Sequence, residues 1–307
     1  MSHVNITTIG GGSGQPALLR ALKQFSGVEL SAIVTTMDSG GSSGVLREEY
    51  GILPPGDIRR CLSALSSHTE LDAWWNFRLN DGLLAGHPVG NIVLTQLTKK
   101  FGSMEKAIAE LEKVFVMQGH VYPVSQEAGV LCAELADGSI VRGEHEIDVP
   151  AGVRAPISRV FLEQPLTLAP AARQALETSD VIVLSFGDVW TSVIPNLLVS
   201  DVPLAIAESE ARVVLVCNRT TKKGETDGWS YMDIVNHVSS CLAPAHLSAV
   251  ICDNQIFPVP SSHQAFTVSE LPTDLTVISD DFGDREHPEH LSAQSVAQAI
   301  VSYAHLR

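Results

Sequence analysis

Short apolar runs alternate with segments of helical periodicity along most of the chain. The run Val4 to Ile9 is rich in apolar residues, and the stretch Pro16 to Phe25 places apolar residues at helical spacing. A second run, Leu30 to Met37, is rich in β-branched residues and is followed by a group of glycines. This order of strand, turn, helix and strand predicts a βαβ unit at the start of the chain.

The remaining pattern extends this unit into a larger α/β fold. Helices are predicted over 57–67, 69–79, 91–101, 103–115, 170–177 and 289–303. Almost wholly apolar segments at 181–184, 213–217 and 247–252 are typical of parallel strands that are buried on both faces. Alternating runs and an Asp137-Gly138 hairpin signal mark the stretch 119–168 as β-rich. We therefore predict a single Rossmann-like α/β domain over 1–307, a parallel sheet with helices on both faces and a β-rich insertion at about 119–168.

Composition and charge narrow the functional classes. The chain is 45% hydrophobic and 18% charged, which is typical of a globular protein. Lys and Arg number 20 against 35 Asp and Glu, and this acidic balance repels nucleic acid and anionic membranes. The N-terminus lacks a basic segment leading into an apolar one, and no apolar run reaches the roughly 18 residues of a membrane span. The sequence predicts a cytoplasmic protein with no membrane span, and it leaves the choice between monomer and homodimer open.

The cysteine pattern does not indicate structural disulfides or a zinc site. Five of them are scattered along the chain without a CxxC pair. Their odd number and wide spacing argue against a disulfide framework and against a zinc site. No metal site is predicted from the spacing of residues.

The first glycine-rich loop separates the first predicted strand from the first helix. It has the pattern Gly12-x-Gly14-x-x-Ala17, and Asp38 follows at about the spacing of a ribose-binding acid. Small residues let backbone amides approach a phosphate, and a helix start offers unpaired N–H groups. We expect Gly14→Val to block that approach and to leave the fold intact, although such a turn can also serve packing alone. The predicted phosphate-binding residues here are Gly11, Gly12, Ser13 and Gly14.

A second glycine cluster, from Asp38 to Gly44, is longer than a single turn requires. A backbone nest or a loop that closes over a ligand would explain its length, and a tight turn is the alternative. The predicted contacts are Asp38, Gly40, Gly41 and Ser42. Further along, Asp57 is placed either to cap a helix or to act in catalysis, and Arg59 could hold a phosphate through two hydrogen bonds.

Polar residues also follow the later strands, where ligands bind in open α/β sheets. Asn218 leads into a polar loop in which Glu225 or Asp227 could hold ribose hydroxyls, a base edge or a metal, and a solvated turn is the alternative. Asn91 opens a predicted helix and could simply cap it. The candidate ligand-binding residues of these segments are Asn91, Thr191, Ser192, Asn196, Asn218, Glu225, Thr226 and Asp227.

Taken together, these loops resemble one known family. The resemblance rests on six ordered motifs: GGGSG at 10–14, VTTMDSGGSSGVLREE at 34–49, GILPPGDIRR at 51–60, GHPVGN at 86–91, TSVIPNLLV at 191–199 and GETDGWS at 224–230. The sequence is similar to the gluconeogenesis-factor (YvcK-type) branch of the superfamily that includes 2-phospho-L-lactate transferase (CofD). Two positions depart from the family pattern: Ser39 stands where a second acid is usual, and Asp188 stands where a Gly-Pro-Gly-Ser turn has serine.

The resemblance implies a Rossmann-like fold with a nucleotide site at the carboxyl ends of the strands. It also implies a small phosphorylated ligand, namely a UDP-sugar, NAD(P) or a GDP-like nucleotide with or without Mg²⁺, and a regulatory role in carbon metabolism and cell-envelope growth. Asp188 would repel such a ligand unless a cation lies between them.

Two enzymatic functions are alternatives to a regulatory role. In the first, a transferase moves a phosphoryl-linked group, with Asp38, Asp57 and Arg59 as its candidate catalytic residues. In the second, a nicotinamide-dependent dehydrogenase, only the first loop and Asp38 fit, and no acid/base partner for hydride transfer is visible. The sequence leaves turnover itself undecided.

Overall fold

Strands and helices alternate along the chain in the computed structural model, which describes residues 3–255, 264–266 and 271–306. The strands are β1 Val4–Gly10, β2 Val28–Val34, β3 His120–Pro123, β4 Leu131–Leu135, β5 Ile140–Arg142, β6 Ile157–Leu162, β7 Val181–Leu184, β8 Arg212–Val216, β9 Ala249–Asp253 and β10 Thr276–Asp280. The helices are α1 Gly14–Leu22, α2 Gly41–Tyr50, α3 Pro55–Leu65, α4 Thr69–Trp75, α5 Val89–Phe101, α6 Met104–Phe115, α7 Glu144–Asp148, α8 Pro170–Glu177, α9 Ile194–Leu197, α10 Val202–Glu208, α11 Tyr231–Leu242 and α12 Ala293–Ala304. A 3-10 turn spans Gly82–Leu84, and a π-helical turn spans Val189–Val193.

The main sheet has seven strands in the order β10-β9-β8-β7-β1-β2-β3, and every pair in it is parallel. Side chains of β1 alternate between two cores, with Ile6 packed on one face of the sheet and Ile9 on the other. Helices cover both faces, so the predicted Rossmann-like α/β fold is confirmed. The chain leaves β1 for β2 on one side and returns to β7 on the other, and ligands of open α/β sheets bind beside such a reversal.

A small antiparallel sheet of β5, β4 and β6 lies within the stretch predicted to be β-rich. The first strand of that stretch, β3, pairs with β2 in the main sheet instead. The short helix α7 follows β5 and packs against the π-helical turn. The insertion therefore delivers a helix, as well as strands, to the carboxyl edge of the main sheet.

The second glycine cluster forms a helix start, which corrects the prediction of a closing loop or a nest. Gly40 is the N-cap of α2, and the helix begins at Gly41. Gly44 is required because a Cβ there would lie 2.1 Å from the carbonyl oxygen of Ser39. Glycine and serine favour helices poorly, so local propensity concealed this helix.

Several other elements were not predicted. The π-helical turn and α9 are wholly buried and too short to show periodicity. The helix α11 does show it, with buried residues at Tyr231, Ile234, Val235, Val238 and Leu242, and it was overlooked. No helix in the described ranges combines the length and the apolarity needed to cross a lipid bilayer.

Candidate functional site

Loops from both halves of the chain meet at the carboxyl edge of the main sheet and enclose a cleft with two compartments. Both compartments are bordered by Gly12, Ser13, Asp188 and Ser192. The arginine compartment has a volume of about 400 Å³ and is lined by residues that include Asp38, Asp57, Arg59, Arg78, Asn91 and Glu144. The lysine compartment has a volume of about 750 Å³ and is lined by residues that include Phe186, Asn218, Lys222, Lys223 and His290.

The first glycine loop forms the boundary between the compartments. Gly12 has a φ of +66°, a conformation that favours glycine. A Cβ at Gly14 would lie 1.9 Å from the carbonyl oxygen of Phe186, so the two loops are in backbone contact at this point. Gly14 is therefore needed for packing, and the expectation that Gly14→Val leaves the fold intact is not compatible with this geometry.

Asp57 connects the first glycine loop to α3. Its side chain is buried, and its Oδ2 accepts a hydrogen bond of 3.0 Å from the backbone N–H of Gly12. Its Oδ1 accepts a hydrogen bond from Arg60, which also forms an ion pair with it. The N-cap of α3 is Pro54, so Asp57 lies inside the first turn and does not cap the helix.

Arg59 is a buried cation without an anionic partner among the described residues. Arg59 is 5% exposed, and its Nε has no hydrogen-bond partner within the described ranges. Within the described ranges no carboxylate forms an ion pair with it, whereas the adjacent Arg60 is paired with Asp57. Burial, reinforced by Arg60 and Arg78, lowers the pKa of Arg59 to about 10. The guanidinium lines the arginine compartment, where an anion could neutralise it.

A polar network joins the starts of α2 and α5. The buried Asn91 donates a hydrogen bond of 2.9 Å from Nδ2 to Ser42 Oγ. Ser42 Oγ also lies 2.8 Å from His87 Nδ1. The Asn91 side chain does not cap α5, whose N-cap is Pro88, and its Oδ1 has no partner within the described ranges. The first turn of α2 has no side-chain cap either, and residues 40–43 line the arginine compartment, where an anion could bind the free backbone donors.

Carboxylates also line the arginine compartment. Burial and the nearby Asp57 raise the pKa of Asp38, while the N–H of Gly40 donates to its Oδ1 at 2.9 Å. Burial raises the pKa of Glu144 to about 8, and Asp38 and Asp148 add to the shift. A second acid therefore does approach Asp38, but it comes from α7.

Ser39, one of the two departures from the family pattern, fastens α7 to the second glycine cluster. Its Oγ accepts a hydrogen bond of 3.0 Å from the backbone N–H of His145. Its own N–H donates to Glu144 Oε2 at 3.4 Å. Serine at this position thus helps to hold Glu144 at the cleft.

Asp188, the other departure, is already paired with a cation. Lys222 Nζ lies 2.8 Å from Asp188 Oδ2 and 2.8 Å from Glu225 Oε1, and it also pairs with Asp148. Burial opposes the charge of Lys222, but Glu225 and Asp188 together raise its pKa above the ordinary value. We call these four side chains the lysine cluster. Lys222 therefore supplies a positive charge beside Asp188, where a cation was expected.

Most predicted site residues lie at the cleft. Those that line it are Gly12, Ser13, Gly14, Asp38, Gly40, Gly41, Ser42, Asp57, Arg59, Asn91, Thr191, Ser192 and Asn218. Gly11 lies just behind the lining, where a Cβ would meet Thr35 Cγ2 at 2.6 Å. Glu225 is connected to the cleft through Lys222.

Three predicted residues are not brought to the cleft. Asn196 is buried beneath it and donates from Nδ2 to the carbonyl oxygen of Ser192 at 2.8 Å. Thr226 Oγ1 accepts a hydrogen bond of 2.8 Å from the N–H of Lys222. The exposed Asp227 accepts one of 2.5 Å from the N–H of Gly224. All three shape the loops that carry other site residues.

Several residues that line the cleft were not predicted from the sequence. They are Arg78, Glu144, His145, Asp148 and Phe186. Three of them lie on α7, a five-residue helix inside a stretch that was predicted to be β-rich. Helices of this length carry too few positions to show periodicity, so no sequence signal indicated them.

A separate cleft of about 830 Å³, larger than either compartment alone, lies at the opposite edge of the sheet among residues such as Asn5, Ser31 and Thr178. Its lining contains no buried unpaired cation among the described residues. Parallel α/β sheets bind ligands at the carboxyl ends of their strands, so the two-compartment cleft is the better candidate.

A family model described as 2-phospho-L-lactate transferase CofD matches residues 6–287. The chain belongs to the CofD family. Within it, the chain is 43% identical over 237 residues to the gluconeogenesis factor of Halalkalibacterium halodurans, covering 76% of this chain and 72% of that one. A relative from Nostoc sp. is 42% identical over 245 residues, which are 79% of this chain and 53% of the relative. This CofD-family chain thus spans about half the length of the Nostoc relative.

A crystal structure supports the same assignment. A member of the UPF0052 family from Bacillus halodurans superposes with a TM-score of 0.90 at 35% sequence identity, covering 97% of this chain and 99% of the other. The gluconeogenesis-factor resemblance indicated by the six motifs is confirmed.

Proposed function

We propose that this CofD-family protein is a cytoplasmic regulatory protein that binds a nucleotide sugar or a related dinucleotide in the two-compartment cleft. Its role would lie in carbon metabolism and cell-envelope growth, including cell shape. The observation that carries the proposal is the buried, unpaired guanidinium of Arg59 at the wall of the arginine compartment.

A phosphate group fits this guanidinium for a physical reason. Burying a cation without a partner destabilises the folded chain, and the lowered pKa of Arg59 corresponds to roughly 3 kcal/mol. An anion bound to Arg59 recovers that free energy as binding affinity. Arg78 borders the same compartment and could share the anion, and the uncapped start of α2 adds backbone donors.

The carboxylates that line the compartment suit the sugar of a nucleotide. Asp38 and Glu144 can accept hydrogen bonds from hydroxyl groups, as acids do from the ribose in Rossmann-like sites. A compartment lined by both guanidinium groups and carboxylates suits a ligand that carries both phosphate and hydroxyl groups. The adjoining lysine compartment offers Phe186 and Asn218 for the rest of the ligand.

The test compares wild type with Arg59→Met, whose apolar side chain has a similar length. Without ligand we expect Arg59→Met to unfold at a higher temperature, because the unpaired buried charge is removed. With UDP-glucose, NAD or GDP, scanning fluorimetry should show a thermal shift for wild type, and calorimetry should show binding at least tenfold weaker for Arg59→Met. A ligand at a hundred times its Kd stabilises a protein by about 2.7 kcal/mol, so the shift is measurable.

Arg159→Met is the matched control, since Arg159 is an exposed arginine paired with Glu134 far from the cleft. It should leave ligand binding unchanged. Equal ligand affinity in wild type and Arg59→Met, or no shift with any of these nucleotides, would reject the proposal.

A second candidate function is the transfer of a phosphoryl-linked group from a nucleotide donor. The description of the matching family model favours it, as does the position of Asp57, which is close enough to Asp38 to add to the rise that burial causes in the pKa of Asp38. In that reaction the acids would orient the acceptor, and Arg59 would stabilise developing charge on the phosphate. Phosphorus NMR of a guanosine-linked phospholactate donor mixed with a deazaflavin acceptor distinguishes the two functions, because only a transferase joins the phospholactyl group to the acceptor and releases the nucleotide.

A further inference from the structure

We propose that Asp148, Asp188 and Glu225 form a binding site for one divalent cation, in competition with the ammonium group of Lys222. One oxygen from each carboxylate lies within 4.8 Å of the others. Two ligands of one ion with metal–oxygen distances of about 2.4 Å lie at most about this far apart. Carboxylate oxygens are the ligands that Mg²⁺, Mn²⁺ and Ca²⁺ prefer.

The position of Lys222 shows that these oxygens converge on a point that attracts a cation. Its Nζ contacts all three carboxylates. One ammonium cannot neutralise three carboxylates, so the cluster retains a net negative charge. A divalent ion would neutralise the cluster more completely than Lys222 does.

Glu225 provides an independent indication. Its side chain is fully buried, and its Oε2 has no hydrogen-bond partner within the described ranges. A buried carboxylate oxygen that lacks a donor is costly, and coordination by a cation satisfies it. The carboxylate faces the cluster, because its other oxygen contacts Lys222.

The cluster is also accessible. The side chains of Asp148, Asp188 and Lys222 are 30%, 35% and 30% exposed, respectively, so an ion can enter from the cleft and Lys222 can leave. Asp188 borders both compartments. Resting on the proposed function, a cation held there would lie between Asp188 and a ligand phosphate, and it would free Lys222 to contact that ligand as well.

The experiment titrates the full chain, stripped with EDTA, with Mn²⁺ alone and counts bound ions by electron paramagnetic resonance. We expect one bound Mn²⁺ that Mg²⁺ displaces. Glu225→Gln, which removes one charge and keeps the shape, should weaken binding at least tenfold. Lys222→Met, which removes the competing ammonium, should strengthen it about tenfold, and Lys222→Gln serves in its place if that variant does not fold.

Two controls locate the ion. Glu146→Gln changes an exposed acid on the same helix as Asp148 and should have no effect. Asp38→Asn changes the separate carboxylate group of the arginine compartment and should also leave Mn²⁺ binding unchanged.

The proposal is overturned if Lys222→Met binds no Mn²⁺, if Glu225→Gln binds it as wild type does, or if only Asp38→Asn weakens it. These titrations contain no nucleotide, whereas nucleotide titrations in EDTA contain no divalent cation and report on the nucleotide site. Failure of the cation site is therefore distinguishable from failure of the nucleotide site.

Discussion

The backbone N–H of Gly12 donates to Asp57 Oδ2 at 3.0 Å, so an acid from α3 already uses one amide of the loop that was predicted to bind phosphate. The same carboxylate pairs with Arg60. Asp57 therefore fixes the first glycine loop against α3. The neighbouring Arg59 is not paired with Asp57 and lines the cleft. We therefore expect phosphate recognition to depend more on that guanidinium and on the start of α2 than on the first loop.

Asp57→Ala should destabilise the fold by roughly 3 kcal/mol, because it removes a buried carboxylate and leaves Gly12 N–H and Arg60 without their partner. Urea denaturation followed by circular dichroism measures the change. Asp274→Ala, at an exposed position, is the control and should stay within about 0.5 kcal/mol of wild type. A similar small change for Asp57→Ala would mean that the two loops are held together by other contacts.

Gly14→Ala should cost about 3 kcal/mol, since its Cβ would meet the carbonyl oxygen of Phe186 at 1.9 Å and one loop must move. Gly152→Ala is matched to it, because a Cβ at Gly152 meets nothing within 4 Å. Thermal unfolding of the two variants, side by side, gives the comparison. If both unfold at the wild-type temperature, the contact between the first loop and Phe186 does not contribute to stability.

The fold could be read from the sequence because buried parallel strands such as Val181–Leu184 are apolar along their whole length and stand out. The start of α2 could not, because Gly41 is needed for a positive φ and Gly44 for a close contact with the Ser39 carbonyl, and both requirements exist only in the folded structure. Local propensity and tertiary packing conflict at that point, and conflicts of this kind are expected at functional sites.

The candidate site shows the same division. Residues in glycine-rich loops after strands, such as Gly12 and Asn218, were found because the chain marks those loops locally. Glu144 reaches the cleft on a helix inside the insertion, and Lys222 reaches Asp188 across 34 positions of chain. Neither relationship has a local signature, so only the three-dimensional structure reveals them.

Stability should fall as the pH rises from about 4.5 to about 8. Burial raises the pKa of Glu225 to about 8, so the folded chain keeps a proton that the unfolded chain loses in this window. The folded state then bears the whole cost of the buried charge above pH 8. Glu225→Gln removes this titration, and its free energy of unfolding should vary less between pH 5 and pH 8.5 than that of wild type.

Urea denaturation at several pH values, in EDTA, measures this dependence. Glu146→Gln is the control and should retain the wild-type slope. Parallel pH profiles for wild type and Glu225→Gln would show that the Glu225 carboxylate stays ionised beside Lys222 throughout the range.

The placement of β1 in the middle of the sheet also governs the order of events during synthesis. Ile6 pairs with Leu30 on one side but with Val181 on the other, so one neighbour of the first strand is translated long after it. At about 5–20 residues per second, the ribosome needs on the order of 10 s or more to reach that partner. During that interval one edge of β1 lacks the strand that will pair with it. A chaperone could bind this unpaired edge on the nascent chain.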